Sequence, residues 1–367
     1  MARQIAMVID LNKCIGCQTC TVSCKSLWTD EPGQENMLWN NVETKPGPGY
    51  PTNWEAKGAK SGWKDGKLQL GELHDPADFG NIAPLNHEEV YFQGSEQRLQ
   101  RKEALVRGAN WDEDTSSGEH PNNYHFYLPR LCNHCTKPAC LEACPTRAIY
   151  KREQDGIVLV DADKCQGYRM CNRACPYDKM YFNHTQNKSQ KCIFCFPRVE
   201  KGEAPACARQ CPGRLRFVGY LDDADGPIDK LVHKWKVALP LHAEFGTQPN
   251  VFYVPPILPD AFDPTGKFSD KARLPADYLR QLFGPGVDKA LATIKAETAK
   301  RQKGQPSELM DLLIAKDWKS LFKITDVKAV SSATPMGDMT EELNKLAPPP
   351  AAAVESPITF MPRRTKA

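Results

Sequence analysis

The chain has 367 residues, with 48 Lys+Arg against 45 Asp+Glu, a formal charge of +3 and 15 cysteines. That length allows one large domain or two or three ordinary ones, while the near-balanced charge lacks the strongly basic stripe that nucleic-acid binding needs. Thirty prolines exceed the roughly 5% of average usage and favour extended connections that wrap a domain or partner.

From the N-terminus, MARQIAMVIDLNKC lacks the apolar segment of a secretion signal, and nowhere do about 18 apolar residues run together. The expectation is a chain with no membrane span and no signal of its own, exportable as the passenger of a signal-bearing partner. MVID (residues 7–10) reads as a strand leading into CIGCQTCTVSC, with Cys14, Cys17, Cys20 and Cys24. Residues 25–123 are polar, carry PGPGYP and hold five of the seven tryptophans: Trp28, Trp39, Trp54, Trp63 and Trp111. They read as an ordered, loop-rich insertion whose tryptophans form local core. HFYL (residues 125–128) is a candidate strand before CNHCTKPACLEACP, which holds Cys132, Cys135, Cys140 and Cys144.

AIYKREQDGIVLVDADKC then reads as a hairpin, residues 149–152 and 157–160 about an Asp155-Gly156 turn. DKCQGYRMCNRACPY follows with Cys165, Cys171 and Cys175, and with Tyr168 where the spacing would put a fourth cysteine. HFYL and MYFN (residues 180–183) could supply the outer strands of this unit. Cys192 and Cys195 of CIFC, Cys207 and Cys211 of CARQCP, and a strand RFVGYL (residues 216–221) complete the cysteine-bearing part. Beyond it, KLVHKWKVALPLH reads as an amphipathic helix running into a turn. SELMDLLIAKDWKSLF reads as a second helix, with Ser307 as cap and Leu309, Leu312, Leu313 and Trp318 at helical spacing. From Leu346, APPPAAAVESP and MPRRTKA read as an arm or tail.

All fifteen cysteines fall into four runs. The spacing CxxCxxCxxxCP lets a short loop present three thiolates to one cluster while the fourth serves another. The first run fits apart from Lys25 in place of proline, the second and fourth carry longer inserts, and the third lacks only the thiolate at Tyr168. Zinc takes four ligands and does not call for a third cysteine followed by CP, and a disulfide framework suits short secreted chains with an even count. Iron-sulfur ligation is the expectation. His134, inside CNHC, could ligate a metal but reads more plainly as a supporting side chain. Lys25, Lys137, Arg147, Arg169, Lys179 and Arg209 stand near the runs and could offset cluster charge. No GxGxxG, GxxxxGK[ST], HExxH or GxSxG occurs. A self-contained enzyme or a redox-sensing iron-sulfur regulator would need a binding module that is not apparent.

The expected fold is α+β: two nested ferredoxin-like double-cluster modules, a large loop-rich insertion and a C-terminal helical and extended extension. Residues 1–24 and 185–222 would form the split module, 25–123 the insertion, 124–184 the inserted module, 223–345 the C-terminal region and 346–367 the tail.

The order CIGCQTC, WNNVETKPGPGYPTNW, CNHCTKPACLEACPTRAIYKREQDGIVLVD, CPY, KCIFCFPR and KWKVALPLHAEFGT resembles the β, electron-transfer subunits of the nitrate reductase branch of the DMSO reductase molybdoenzymes. FGPGV and SELMDLLIAKDW resemble ethylbenzene dehydrogenase and steroid C25 dehydrogenase more narrowly. The resemblance implies three [4Fe-4S] clusters, held by Cys14, Cys17, Cys20 and Cys211; by Cys24, Cys192, Cys195 and Cys207; and by Cys132, Cys135, Cys140 and Cys175. It implies a [3Fe-4S] cluster on Cys144, Cys165 and Cys171, with Tyr168 at the vacant ligand position, where nitrate reductase relatives carry tryptophan. Tyr168 as a phenolate ligand is the sharper alternative, though an ordinary phenol titrates near pH 10.

The implied role is a relay between a molybdenum site in an α subunit and a haem b γ subunit or cytochrome. The C-terminal match points to an anaerobic hydrocarbon- or steroid-hydroxylating dehydrogenase in the periplasm, exported with its α subunit. The alternative is a respiratory nitrate-, selenate- or (per)chlorate-type reductase, for nitrate reductase on the cytoplasmic face of the membrane.

Overall fold

In a computed structural model, the structure describes residues 3–80, 117–315 and 321–322. The chain divides into two compact units, Met1–Asp326 and Val327–Ala367. The second unit, with the expected tail, lies outside the described residues, as do Trp111 and Trp318.

IAMVID becomes strand β1, Ile5–Asp10, buried along its whole length. Such an unbroken apolar run suits a strand covered on both faces. β1 pairs antiparallel with β10 (Arg216–Tyr220), Ile5 opposite Tyr220 and Ile9 opposite Arg216. It also pairs parallel with β12 (Val251–Val254), and the two-residue β11 (Leu239–Pro240) completes the sheet against β12. Ile5, Met7, Ile9, Val218 and Tyr253 pack into a core shared with Cys20, Cys24, Cys192 and Cys207. Ala6, Val8, Phe217 and Phe252 face a second core with Ile294, Leu309 and Leu313. The cysteine-bearing segments thus cover one side of the sheet and the C-terminal helices the other.

The remaining sheets are two-stranded. β2 (Asn40–Lys45) pairs with β5 (Phe126–Leu131), and β3 (Gly62–Lys64) with β4 (Lys67–Gln69). β6 (Ile149–Lys151) pairs with β7 (Val158–Val160), and β8 (Met180–Asn183) with β9 (Lys188–Lys191). β13 (Asp260–Phe262) and β14 (Phe268–Ala272) form a surface hairpin.

The expected hairpin between the second and third runs is therefore present, but its expected outer strands go elsewhere. HFYL extends to Leu131 and pairs with NNVETK of the stretch expected to be loop-rich, while MYFN pairs with its sequence neighbour KSQK. The reason is Glu43. Its fully buried carboxylate accepts from Arg130 Nε at 2.6 Å, Trp54 Nε1 at 3.0 Å and the Tyr50 N–H at 3.1 Å, so a polar segment is stitched inside. The insertion also contributes the helix Trp54–Gly58, and the helix Thr19–Trp28 runs across the expected boundary at residue 24. Trp39 and Trp54 are core residues; Trp28 and Trp63 are half-buried.

KLVHKWKVALPLH is a correction. Only Lys230–Lys234 forms a π-helical turn, after which the Val237 and Ala238 N–H groups both bond the Leu231 carbonyl and the chain straightens into β11. Proline at 240 lacks the N–H that a continuing helix would use. The second expected helix forms over Glu308–Ile314, with the Ser307 hydroxyl accepting from the Met310 N–H. The helices Ala276–Phe283 and Val287–Gln302, flanking FGPGV, complete the C-terminal face. No helix among the described residues is long and apolar enough to cross a membrane.

Candidate iron-sulfur centres

In each run the cysteine at the third ligand position, which is the second cysteine of the run that carries Tyr168, is the second residue of a helix: Cys20 in Thr19–Trp28, Cys140 in Ala139–Glu142, Cys171 in Met170–Ala174 and Cys207 in Ala206–Arg209. The loop before it uses left-handed backbone to turn. Gly16 (φ 68°) and Gln18 (φ 57°) flank Cys17, and Gly167 (φ 74°) and Arg169 (φ 57°) flank Tyr168. Tyr168 thus occupies the backbone position of Cys17, and both side chains are exposed. His134 (φ 42°) and Phe194 (φ 53°) make the corresponding turn in the other two runs.

These loops gather sulfur from distant parts of the chain. Cys14, Cys17, Cys20 and Cys211 line one small cavity. Cys24, Cys192, Cys195 and Cys207 line a second, and Cys132, Cys135, Cys140 and Cys175 a third. Cys144 and Cys171 pack in a small apolar cluster with Ile149, Val158 and Met180, beside Cys140 and Cys175, and the sulfurs of Cys144 and Cys165 add to the burial that disfavours the Cys171 thiolate. The third and fourth gatherings exchange Cys175 and Cys144, as the first two exchange Cys211 and Cys24.

All fifteen thiols are free of disulfides. Burial, aided by neighbouring sulfurs, pushes the Cys14, Cys135, Cys175 and Cys207 thiols up to about 12 and Cys171 up to about 11. Thiolates here need positive charge beside them, which iron would supply. Cys144 goes the other way: burial opposes its thiolate, but the Thr146 hydroxyl and the N–H groups of residues 146, 148 and 149 outweigh it. Donors already aim at sulfur, with the Trp28 indole N–H 3.2 Å from Cys195 Sγ, the Ala148 N–H 3.3 Å from Cys144 Sγ and the Phe194 N–H 3.4 Å from Cys192 Sγ. Among the described residues, no three His, Cys, Asp or Glu side chains gather as they would round a single ion.

His134 is fully buried, accepts from the Val158 N–H through Nδ1 at 3.1 Å and lies against Phe194, as a supporting side chain would. Of the six cations named from the sequence, Arg147 and Arg209 are exposed, Lys137 lies over Trp63 and Arg169 over Phe182. Lys25 is buried against the carbonyls of Gln34 and Glu35, and Lys179 is buried beside Cys175, bonded to Asn41. Sequence reasoning missed Lys151, Lys191 and Arg216. Lys151 Nζ donates to the Cys135 carbonyl at 3.0 Å and Lys191 Nζ to the Cys192 carbonyl at 2.8 Å. Adjacency to Cys192 could have flagged Lys191; nothing local marks Arg216.

Paired cysteine runs on short helices and hairpins define a ferredoxin-like dicluster protein, and the description "4Fe-4S dicluster domain" matches residues 123–221. The chain is 58% identical over 325 residues to the selenate reductase subunit beta of Thauera selenatis, covering 88% of this chain and 99% of that one. It is 60% identical over 316 residues to the chlorate reductase subunit beta of Ideonella dechloratans (85% and 96%), and 53% over 323 residues to the dimethylsulfide dehydrogenase subunit beta of Rhodovulum sulfidophilum (88% and 99%). The chain belongs to this family, the iron-sulfur β subunits of DMSO reductase-type molybdoenzymes. The reductase alternative fits these relatives better than the hydrocarbon- or steroid-dehydrogenase expectation drawn from FGPGV and SELMDLLIAKDW.

Proposed function

We propose that this chain is the electron-relay subunit of a reductase complex of the selenate, chlorate or nitrate type. It holds three [4Fe-4S] clusters and one [3Fe-4S] cluster in two nested pairs. The first three use Cys14, Cys17, Cys20 and Cys211; Cys24, Cys192, Cys195 and Cys207; and Cys132, Cys135, Cys140 and Cys175. The last uses Cys144, Cys165 and Cys171. The observation that carries this reading is the reciprocal gathering of cysteines, with Tyr168 on the backbone position of Cys17.

Bound clusters supply one-electron storage. The chain's own work is positional: helices and left-handed turns aim the thiolates, apolar packing excludes water, and buried N–H groups and cations favour negative charge at each site. Its partners in this reading are a molybdenum-bearing α subunit and a haem b γ subunit or cytochrome. The place of action is the periplasm, reached with the α subunit.

Iron analysis of intact protein should give about 15 Fe per chain, three cubanes and one three-iron cluster. Tyr168→Cys should raise this to about 16 and abolish the oxidised three-iron EPR signal. About 8 Fe, or an unchanged EPR signal in that variant, would overturn the assignment.

A further inference from the structure

Arg216 opens β10 directly after the last cysteine run and is 1% exposed. It lines the cavity of Cys14, Cys17, Cys20 and Cys211. Its Nη2 donates to Asn40 Oδ1 at 2.7 Å and its Nη1 to Met7 Sδ at 3.5 Å, and Met7 and Asn40 line the neighbouring cavity of Cys24, Cys192, Cys195 and Cys207. Its Nε is buried with no hydrogen-bond partner. Against the cost of burial, what favours its charge is sulfur from both groups, Cys20 and Cys207 ahead of Cys211 and Cys14.

A guanidinium cannot discharge by losing its proton, so burial without a countercharge would be heavily penalised. Buried arginines are ordinarily satisfied by carboxylates. Arg130 is the contrast in this fold, with Nε on Glu43 and its Nη atoms on the Tyr177 and Tyr50 carbonyls. Arg216 has an amide and a thioether instead. The missing negative charge has to come from the two cavities it separates.

We propose that Arg216 is the shared countercharge of the two clusters held by the split runs, raising the reduction potentials of both together. A fixed positive charge stabilises the reduced, more negative state of each neighbouring cluster. The inference rests on the iron-sulfur reading above.

The test is EPR-monitored redox titration of the purified complex carrying Arg216→Gln, Arg216→Lys or Asn40→Asp. Arg216→Gln removes the charge, and two of the four cluster signals should fall together. Each should fall by at least a tenfold change in reduced-to-oxidised ratio at fixed ambient potential, ~59 mV for a one-electron couple. Arg216→Lys keeps the charge and should shift them less. Asn40→Asp sets a carboxylate against the guanidinium and should lower the same two signals with arginine in place, which decides the matter if Arg216→Gln loses iron. Unmoved potentials in Arg216→Gln and Asn40→Asp, or an equal shift of all four, would overturn the role of Arg216. Wild-type protein without iron at these positions would instead overturn the cluster reading itself.

Discussion

The indole of Trp28 shows how little of a redox site is carried by its ligands alone. Its N–H points at Cys195 Sγ across 3.2 Å, from a helix that also carries Cys24. A donor on sulfur stabilises the reduced state, so Trp28→Phe should keep full iron content and lower one cluster's potential. The expected fall, read by redox titration, is about one tenfold step in the redox ratio or less, ~59 mV at most. At this scale the cysteines were legible, because their spacing is fixed by the short loops that surround a cluster. The correspondence of Tyr168 with Cys17, in matching left-handed turns, was legible for the same reason. Arg216 was not, since its meaning depends on Asn40, 176 positions away, and on sulfur from separate runs.

Among the elements, the cysteine loops depend on backbone as much as on sulfur. Gly16 has φ 68°, and a Cβ there would lie 2.6 Å from the Tyr127 ring of β5. Gly16→Ala should strain the loop by roughly 1–3 kcal/mol, lower the melting temperature and reduce iron retention at the Cys14 site; normal iron with unchanged melting would refute this. The strand leading into Cys14, the hairpin at residues 149–160 and the Ser307 cap follow from local signals. The pairing of β2 with β5 does not. NNVETK has the polarity of a surface strand, and the Arg130, Trp54, Tyr50, Asn41 and Lys45 partners of Glu43 offset the cost of its burial. The KLVHKWKVALPLH helix failed in the opposite sense, because helical spacing near Leu231 says nothing about the straightening that follows.

For the whole molecule, Glu43 joins the insertion to the cysteine-bearing body. Burial works against its charge, but Arg130, Lys45 and Lys179 hold its carboxyl down at about 2. Its stabilisation is therefore complete above the ordinary glutamate value of about 4.3 and is lost as pH falls through about 2. Glu43→Gln leaves those cations facing a neutral amide and should cost about 3–5 kcal/mol at neutral pH, read as a lower melting temperature. The difference from wild type should shrink as pH falls from 4 towards 2, and a constant difference would show that charge is not the cause. β1 has a further consequence during biosynthesis. Its hydrogen-bonding neighbours β10 and β12 leave the ribosome some two hundred residues after it, and Cys211 follows Cys20 by 191 positions. At about 5–20 residues per second, Cys20 would wait roughly 10–40 s for Cys211, the sulfur that completes its set in the proposed assignment. On the proposed assignment, metal loading at that end of the protein waits until well over half of the chain has been made.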